Sequence, residues 1–250
     1  MSFADFDLSG RRALITGSTD GIGLAIALRL AQAGAAVVLH SLPDDPTGQT
    51  ALEAAWATGA VADLITGDLA EPGAAAALLE EAGPVDILVS NVAIQIRQPL
   101  DQMDVPTMEK HFAANIVAAL QLVQGVLPHM KAQGWGRIVN IGSIQQVKPH
   151  SELMTYAALK AGQKNMVENL ARQVAADGIT VNTVAPGVVL TARNRPVLSD
   201  PVYAERVMAQ VPMRSFGEPE DMAGAVLLLC SQAGRYITGA NIPVDGGMHL

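Results

Sequence analysis

Short β-branched runs alternate with Ala-rich stretches whose apolar residues recur at helical spacing along almost the whole chain. This alternation is typical of a parallel sheet covered by helices on both faces. The predicted strands cover residues 13–15, 37–40, 61–66, 87–90, 137–141, 180–184 and 241–244. The predicted helices cover residues 22–33, 107–130, 151–176 and 218–231. No linker or internal repeat interrupts the pattern, so residues 1–250 are predicted to form a single-domain, doubly wound α/β fold with a seven-stranded parallel sheet.

Two segments follow neither period. Residues 41–50 contain two Pro, one Gly and two adjacent Asp, and residues 191–215 are polar and contain three Pro. Irregular segments of this length are usually functional or disordered. Residues 191–215 are therefore predicted to form a substrate-binding lid, and their few large apolar residues suggest that the lid becomes ordered over cofactor and substrate.

Composition and charge narrow the possible partners. The chain has 16 Lys and Arg against 24 Asp and Glu, a formal charge of −8, which disfavours nucleic acid and anionic membranes. No uninterrupted apolar run approaches the ~20 residues of a membrane-spanning helix. The first residues, MSFADFDLSGRR, do not read as a leader sequence, so the expected location is cytoplasmic. Cys230 is the single cysteine, within AGAVLLLC, and is expected to be a buried apolar residue rather than a metal ligand or nucleophile.

Three glycines, Gly17, Gly21 and Gly23, fall where the first predicted strand turns into the first predicted helix. Without side chains, the backbone here can approach a pyrophosphate, and the helix directs N–H donors and its positive end toward it. A tight turn with close packing is the alternative. The placement directly after the first strand favours a dinucleotide site.

The end of the second strand, LHSLPDD, indicates which dinucleotide binds. It contains no Arg to bind a 2′-phosphate, and Asp20 in the Gly-rich turn would repel one, which predicts NAD in preference to NADP. The acidic residue expected to bind the ribose is missing directly after Leu39. Asp44 or Asp45 either reaches the ribose or lies in a solvated loop, and the solvated loop is the simpler interpretation.

The segment YAALK places Tyr156 and Lys160 four residues apart, on one face of a predicted helix. A tyrosine, which titrates near ~10, works as an acid or base near neutrality only if a cation stabilises its phenolate. Ser143 lies at the carboxyl end of the strand RIVNIGS, the edge where parallel sheets bind ligands. Its hydroxyl could bind a substrate oxygen while Tyr156 transfers a proton.

Over essentially its full length the chain resembles the short-chain dehydrogenase/reductase family. The resemblance lies in TGSTDGIG, in Asp68 of GDL, in a tetrad of Asn115, Ser143, Tyr156 and Lys160, and in APG at 185–187 followed by Thr191. It implies a Rossmann fold and a nicotinamide-dependent oxidoreductase acting on carbonyl or alcohol groups. The cofactor contacts that it implies are Gly17, Thr19, Asp20, Gly21, Ile22, Gly23, Asp68, Leu69, Asn91, Ala93, Tyr156, Lys160, Pro186, Gly187, Val189 and Thr191.

The resemblance also implies the catalytic roles. Tyr156 is the acid/base, Ser143 orients and polarises the carbonyl, Lys160 lowers the pKa of the tyrosine and binds the ribose, and Asn115 holds a water in a proton relay. One segment departs from the family: Asn-Asn-Ala-Gly is here Asn91-Val92-Ala93-Ile94. Ile94 places a β-branched side chain where glycine lets the chain pass close to cofactor and substrate, which puts the local backbone path in doubt.

The expected pocket is polar and locally basic. This favours a sugar, a polyol or a hydroxy or keto acid as substrate, although any one of these groups could instead face solvent. An alternative is a 3-oxoacyl carrier-protein reductase that uses NADPH, for which a basic patch including Arg172 and Arg206 would receive the acidic carrier. The candidate substrate residues are Ile94, Gln95, Arg97, Gln145, His150 and Arg193, and neighbouring polar groups are Gln146, Lys148, Asn194 and Arg195.

An alternative of another class is a catalytically idle dinucleotide-binding protein, which would have no need of Tyr156 in its position. Members of the family are commonly tetramers, so the resemblance implies a homotetramer, with a dimer as the second possibility. The helices predicted at 107–130 and 151–176 are apolar on more than one face, and the chain ends in an apolar strand and tail, as such an assembly would require.

Overall fold

One parallel sheet organises the molecule in the computed structural model, which describes residues 4–250. Its strands are β1 (Arg12–Ile15), β2 (Ala36–Ser41), β3 (Ala62–Thr66), β4 (Ile87–Ser90), β5 (Gly136–Ile141), β6 (Ile179–Pro186) and β7 (Asn241–Val244). They lie in the order β3-β2-β1-β4-β5-β6-β7, and every neighbouring pair is parallel. The prediction of a seven-stranded, doubly wound parallel sheet is confirmed.

The two faces of the sheet follow from the period of two along each strand. In β1, Ala13 and Ile15 face one core cluster while Leu14 between them faces the other. In β4, Ile87 and Val89 join the first cluster and Leu88 joins the second. Because both faces are buried, these strands read as continuous apolar runs instead of alternating ones.

Helices cover both faces. The first core cluster lies under α1 and α9, and the second lies under α3, α5 and α6. The sequence analysis did not assign α2 or α3, which are short and Ala-rich and have no strong capping signal. The helices are α1 (Gly21–Gln32), α2 (Gly48–Ala57), α3 (Ala74–Ala82), α4 (Val105–Phe112), α5 (Ala118–Gln133), α6 (Met154–Val174), α7 (Arg195–Leu198), α8 (Pro201–Met208) and α9 (Pro219–Cys230).

The helix predicted at 107–130 starts earlier and is not uniform. Asp104 accepts a hydrogen bond from the backbone N–H of Thr107 at 2.8 Å, which caps α4 and starts it at Val105. A π-helical turn over Ala113–Val117 then separates α4 from α5. By length and composition the whole helix Val105–Gln133 could span a membrane, but it packs on α3 and the sheet as a core helix does.

The segment 191–215 contains two short helices, α7 and α8, where the sequence analysis assigned none. Pro occupies the first turn of each, where its missing N–H costs no helical hydrogen bond. Asp200 caps α8 by accepting from the N–H of Val202 at 3.0 Å. The ordering of this segment by ligands stays a prediction.

Candidate active site

A cavity of about 570 Å³ opens at the carboxyl edge of the sheet, around β1 and β4, where the strand order changes direction. Open parallel sheets bind their ligands at this switch point. All the predicted cofactor contacts line it: Gly17, Thr19, Asp20, Gly21, Ile22, Gly23, Asp68, Leu69, Asn91, Ala93, Tyr156, Lys160, Pro186, Gly187, Val189 and Thr191. The structure therefore brings them together, and their binding of a cofactor stays a prediction.

The Gly-rich turn, residues 16–23, is held against the end of β4. Asn91 Nδ2 donates to the backbone oxygens of Thr16, at 3.0 Å, and Gly17, at 2.8 Å. Gly17 adopts a φ of +60°, which favours glycine, and a Cβ on Gly23 would lie only 2.1 Å from the oxygen of Gly17. These contacts bring α1 close to the end of β1, so the turn tolerates no side chain at Gly23.

A dinucleotide pyrophosphate fits the start of α1. The helix begins at Gly21, and within residues 4–250 the side chain of Asp20 makes no capping hydrogen bond to it. The first N–H groups of a helix have no partner inside the helix, so here they remain free to bind an anion. Thr191 lies opposite, since a Cβ on Gly21 would come within 3.2 Å of its Cγ2.

Asp44 and Asp45, which follow β2, differ in their surroundings, and the prediction of a solvated loop holds for one of them only. Asp44 is exposed, lies outside the cavity and has a φ of +62°, as a solvated turn residue would. Asp45 is partly buried, lines the cavity and accepts a hydrogen bond from the hydroxyl of Thr19 at 2.6 Å. The interpretation as a solvated loop is therefore right for Asp44 and wrong for Asp45, whose carboxylate faces the Gly-rich turn.

The residues predicted to transfer the proton lie together in the lining of the cavity. Tyr156 and Lys160 are one turn apart on α6 and are 5% and 1% exposed. Lys160 Nζ donates to the backbone oxygen of Ile141 at 2.7 Å and lies 5.6 Å from the Tyr156 ring centre. Ser143, which follows β5, forms a hydrogen bond with Tyr156. Three residues predicted to act together therefore line one wall.

Burial controls the titration of this group. It raises the pKa of Tyr156, against the opposing effects of the Arg193 charge and the Ser143 hydrogen bond. Burial and the Arg193 charge lower the pKa of Lys160 to about 7. The sequence analysis assigned the lowering of the tyrosine pKa to Lys160. In this structure the effects that lower the pKa of Tyr156 come from Arg193 and Ser143, and burial outweighs them. The effect of Lys160 on Tyr156 stays a prediction.

Asn115 is fully buried in the π-helical turn and is not among the residues that line the cavity. Its Nδ2 donates to the backbone oxygens of Ile94, at 3.1 Å, and His111, at 2.9 Å, and its own backbone oxygen accepts from Gln163. The Oδ1 of Asn115 has no partner among the described residues. The side chain thus connects the loop after β4 to α4. The binding of a water by Asn115 stays a prediction.

The substrate residues separate into two groups. Ile94, Gln95 and Arg193 line the cavity. Ile94 fits there without strain, because among residues 4–250 positive φ angles outside glycine occur only at Asp44 and Arg214.

The other three predicted substrate residues are not in the described lining and bind neighbouring loop residues instead: Arg97, Gln145 and His150. Arg97 lies 3.6 Å from Glu152 and donates to the Tyr203 hydroxyl at 3.3 Å. Gln145 Oε1 accepts from the backbone N–H of His150 at 2.7 Å.

The sequence analysis missed several lining residues. His40, Ser41 and Leu42 come from the end of β2, and Val92, Lys110 and Ala114 come from the chain after β4. The signal for the first three was their position at the carboxyl end of a strand next to β1. The side chain of His40 forms hydrogen bonds with the backbone of Gly17 and Gly67, which lie far from it in sequence.

Comparison with known proteins identifies the family. A family model described as enoyl-(acyl carrier protein) reductase matches residues 17–249. Gluconate 5-dehydrogenase of Gluconobacter oxydans is 35% identical over 254 residues, covering 99% of this chain and 98% of the relative.

Two solved structures superpose closely. A 3-oxoacyl (acyl-carrier-protein) reductase from Agrobacterium tumefaciens with NADP bound is 40% identical, has a TM-score of 0.94 and covers 99% of this chain and 98% of its own. A gluconate 5-dehydrogenase from Burkholderia cenocepacia, in complex with NADP and tartrate, is 33% identical and has a TM-score of 0.91. The match covers 98% of this chain and 97% of the other chain.

The chain belongs to the short-chain dehydrogenase/reductase family. It is an oxidoreductase that acts on CH–OH groups with a nicotinamide dinucleotide.

Replacing Gly23 by Ala is expected to weaken dinucleotide binding by at least about tenfold, because the new methyl group would push α1 away from the end of β1. A fluorescence titration with the reduced dinucleotide measures this. Gly224→Ala on α9 is the matched control, since its Cβ would meet nothing within 4 Å, and its affinity should stay unchanged. Equal affinities for both variants would contradict the role given to Gly23.

Proposed function

We propose that this protein interconverts a secondary alcohol and a ketone on a small hydroxylated acid or sugar, with Tyr156 as the acid/base. The observation that carries the proposal is the meeting of Ser143, Tyr156 and Lys160 in the same cavity as the Gly-rich turn. A protein that only binds a dinucleotide has no need of a buried tyrosine bonded to a serine at the inner end of that cavity. When bound, the nicotinamide supplies or accepts the hydride.

In the direction of reduction, Ser143 donates a hydrogen bond to the substrate oxygen and Tyr156 gives it a proton as negative charge develops. In oxidation Tyr156 removes the hydroxyl proton. The nearby cationic side chains of Arg193 and protonated Lys160 favour the phenolate that forms when Tyr156 loses its proton. Lys160, held by the oxygen of Ile141, is also placed to bond the cofactor ribose.

Arg193 favours an acidic substrate. It extends from the segment after β6, where its Nη2 donates to the oxygen of Ala93 at 3.0 Å, and its charge acts on both Tyr156 and Lys160. Within residues 4–250 it makes no ion pair, so its guanidinium can receive a carboxylate. We propose that residues 191–215 carry Arg193 onto the substrate as a lid.

An acyl carrier-protein substrate is the second candidate, favoured by the similarity to the Agrobacterium reductase. The basic patch that it requires is not supported by the placement of the two arginines considered for it. Arg172 lies sixteen residues beyond Tyr156 on α6, a distance of about 24 Å along the helix, whereas Arg206 packs on the Tyr203 ring in α8. A small substrate therefore agrees better with this surface.

Turnover of a panel of sugars, polyols, hydroxy acids and an acyl thioester tests the function, with reduced-nicotinamide absorbance as the readout. We expect the highest kcat/KM for a hydroxy or sugar acid. Tyr156→Phe should lower kcat by several powers of ten while dinucleotide affinity changes less than about threefold, because only the transferable proton is removed.

Two results would contradict this assignment. Unchanged kcat in Tyr156→Phe would exclude Tyr156 as the acid/base. Preferential reduction of the acyl thioester would favour the second candidate.

We propose NAD as the preferred cofactor, because the carboxylates of Asp20, in the Gly-rich turn, and Asp45, after β2, both line the cavity. Hydrogen bonds from Thr19 and Thr47 hold the pKa of Asp45 below its ordinary value, so it is charged at neutral pH, and Asp20 lies in the same lining. Negative charge here would repel a 2′-phosphate. The NADP complexes of the relatives favour NADP as the alternative.

Titrations with NADH and NADPH distinguish these possibilities. We expect tighter binding of NADH, and we expect Asp45→Asn to raise NADPH affinity about three- to tenfold with little change for NADH, because a repelling charge is removed. Asp44→Asn is the matched control, since Asp44 is exposed and outside the cavity. NADPH preference in the unmodified protein, or equal effects of the two substitutions, would show that Asp45 does not select the cofactor.

We propose that the protein forms a homotetramer, with a dimer as the alternative. Large apolar side chains are exposed on the helices expected to pair: Val105 and Phe112 on α4 and Met154 on α6. Tyr236, near the carboxyl-terminal strand, is 98% exposed, and Leu250 is 86% exposed. Such patches on a single chain usually mark contact surfaces.

Light scattering should give a mass near four times the 26.0 kDa of one chain. Val105→Asp should lower this mass, because it places a charge on the proposed contact face. Val61→Asp, an exposed valine before β3, is the control and should leave the mass unchanged. A monomeric mass for the unmodified protein would contradict the proposal.

We also propose a cytoplasmic location. A nicotinamide cofactor is supplied inside the cell, and Cys230 is a buried free thiol, which agrees with a reducing compartment.

A further inference from the structure

His40 connects three parts of the cavity wall that are distant in sequence. It is the last residue but one of β2, and its side chain is almost fully buried. It lies between the Gly-rich turn and the chain that follows β3. No role in proton transfer falls to it, because Tyr156 and Ser143 lie on the β5 and α6 side of the cavity. A buried histidine at this position therefore needs another explanation.

The ring bonds at both nitrogens. The backbone N–H of Gly17 donates to Nδ1 at 3.1 Å, and Nε2 lies 3.1 Å from the backbone oxygen of Gly67. A backbone N–H can only donate and a carbonyl can only accept, so Nδ1 is bare and Nε2 carries the hydrogen. Both bonds exist together only in the neutral ring with this tautomer.

The backbone of His40 reinforces the same contact. The N–H of Ser18 donates to the oxygen of His40 at 2.9 Å, and the N–H of His40 donates to Ser18 Oγ at 3.0 Å. The side chain and main chain of one residue thus bind two successive residues of the Gly-rich turn. Of these four bonds, the one to Gly17 depends on the protonation state of the ring.

We propose that neutral His40 is a positioning residue that holds the Gly-rich turn in its cofactor-binding shape, and that protonation of its ring weakens dinucleotide binding in acid. Protonation converts Nδ1 from an acceptor into a donor that faces the N–H of Gly17. The two donors then repel each other, and the turn moves away from the end of β2. The proposal depends on the assignment of this turn as the cofactor site.

The charges around His40 set the pH range of the effect. Burial lowers the pKa of His40, while the Gly67 carbonyl and the charge of Asp68 act in the opposite direction. The Gly-rich turn itself carries Asp20, and Asp45 accepts a hydrogen bond from Thr19 of this turn. Since the pKa in the folded protein lies below the unfolded value of ~6.5, the ring is neutral at pH 7. The bond to Gly17 is present above that value and is lost as the pH falls through the folded pKa.

Two substitutions separate the hydrogen bond at Nδ1 from the hydrogen bond at Nε2. His40→Asn places an oxygen near Nδ1, which keeps the acceptor for Gly17 and cannot titrate. His40→Gln places an amide near Nε2, which keeps the donor to Gly67 and removes the acceptor. The Kd of the reduced dinucleotide is measured by fluorescence between pH ~7.5 and ~5 for both variants and the unmodified protein. Thermal unfolding confirms that each variant is folded at each pH.

We expect the unmodified protein to lose about tenfold in affinity across this range, and His40→Asn to change less than about twofold. His40→Gln should be weaker than His40→Asn at every pH. Identical pH profiles for the unmodified protein and His40→Asn would overturn the role of His40 and leave the cofactor site intact. Failure of the unmodified protein to bind either dinucleotide at neutral pH would overturn both the cofactor site and this proposal.

The tautomer can be tested without relying on a variant that folds. ¹⁵N NMR of the imidazole nitrogens distinguishes the two neutral tautomers among the five histidines of the chain. We expect the Nε2–H form for the buried ring at neutral pH, with protonation only below the ordinary histidine pKa. A ring that carries hydrogen on Nδ1 at neutral pH, or that protonates above ~6.5, would overturn the proposal.

Discussion

The close approach of α1 to the end of β1 is the constraint on which the site depends. Gly23 has no space for a side chain beside the oxygen of Gly17 and the Asn91 amide that donates to this oxygen. These contacts set the direction in which α1 leaves the sheet, and so the direction in which its free N–H groups point. The position of an anion at the helix start, and hence that of any nicotinamide beyond it, follows from this packing.

Burial then sets the chemistry at the other end of the cavity. Taking Lys160 out of water brings its pKa to about 7, so its charge depends on what lies beside it. The same burial makes the phenolate of Tyr156 costly unless cations are near. Burying this tyrosine and lysine thus costs stability, and the proposed role in proton transfer would account for it.

The strands and the pairing of Tyr156 with Lys160 on α6 could be predicted because both follow local rules. A strand buried on both faces is a continuous apolar run, as at Ile87–Ser90, and the Tyr156 and Lys160 spacing is that of one helical turn. The helices α2 and α3 were not predicted, because a short Ala-rich segment shows little helical periodicity of apolar and polar residues.

The roles of His40 and Asp45 could not be predicted for a different reason. Their partners, Gly17 and Thr19, lie more than twenty residues earlier and meet them only when β2 pairs with β1. The rim residue Arg97 was expected to contact substrate because its charge was visible in the sequence. Its pairing with Glu152 was not, since that pairing depends on the loop after β4 meeting the segment just before α6.

The contact between Arg97 and Tyr203 has a consequence for the proposed lid. It joins the loop after β4 to α8 through one long hydrogen bond and a partly exposed cation–π contact. Contacts of this kind are worth about 0.5–1 kcal/mol each, so these two hold α8 only weakly to the loop that carries Arg97. For the proposed lid over residues 191–215, this means that little free energy opposes a movement of α8 away from Arg97.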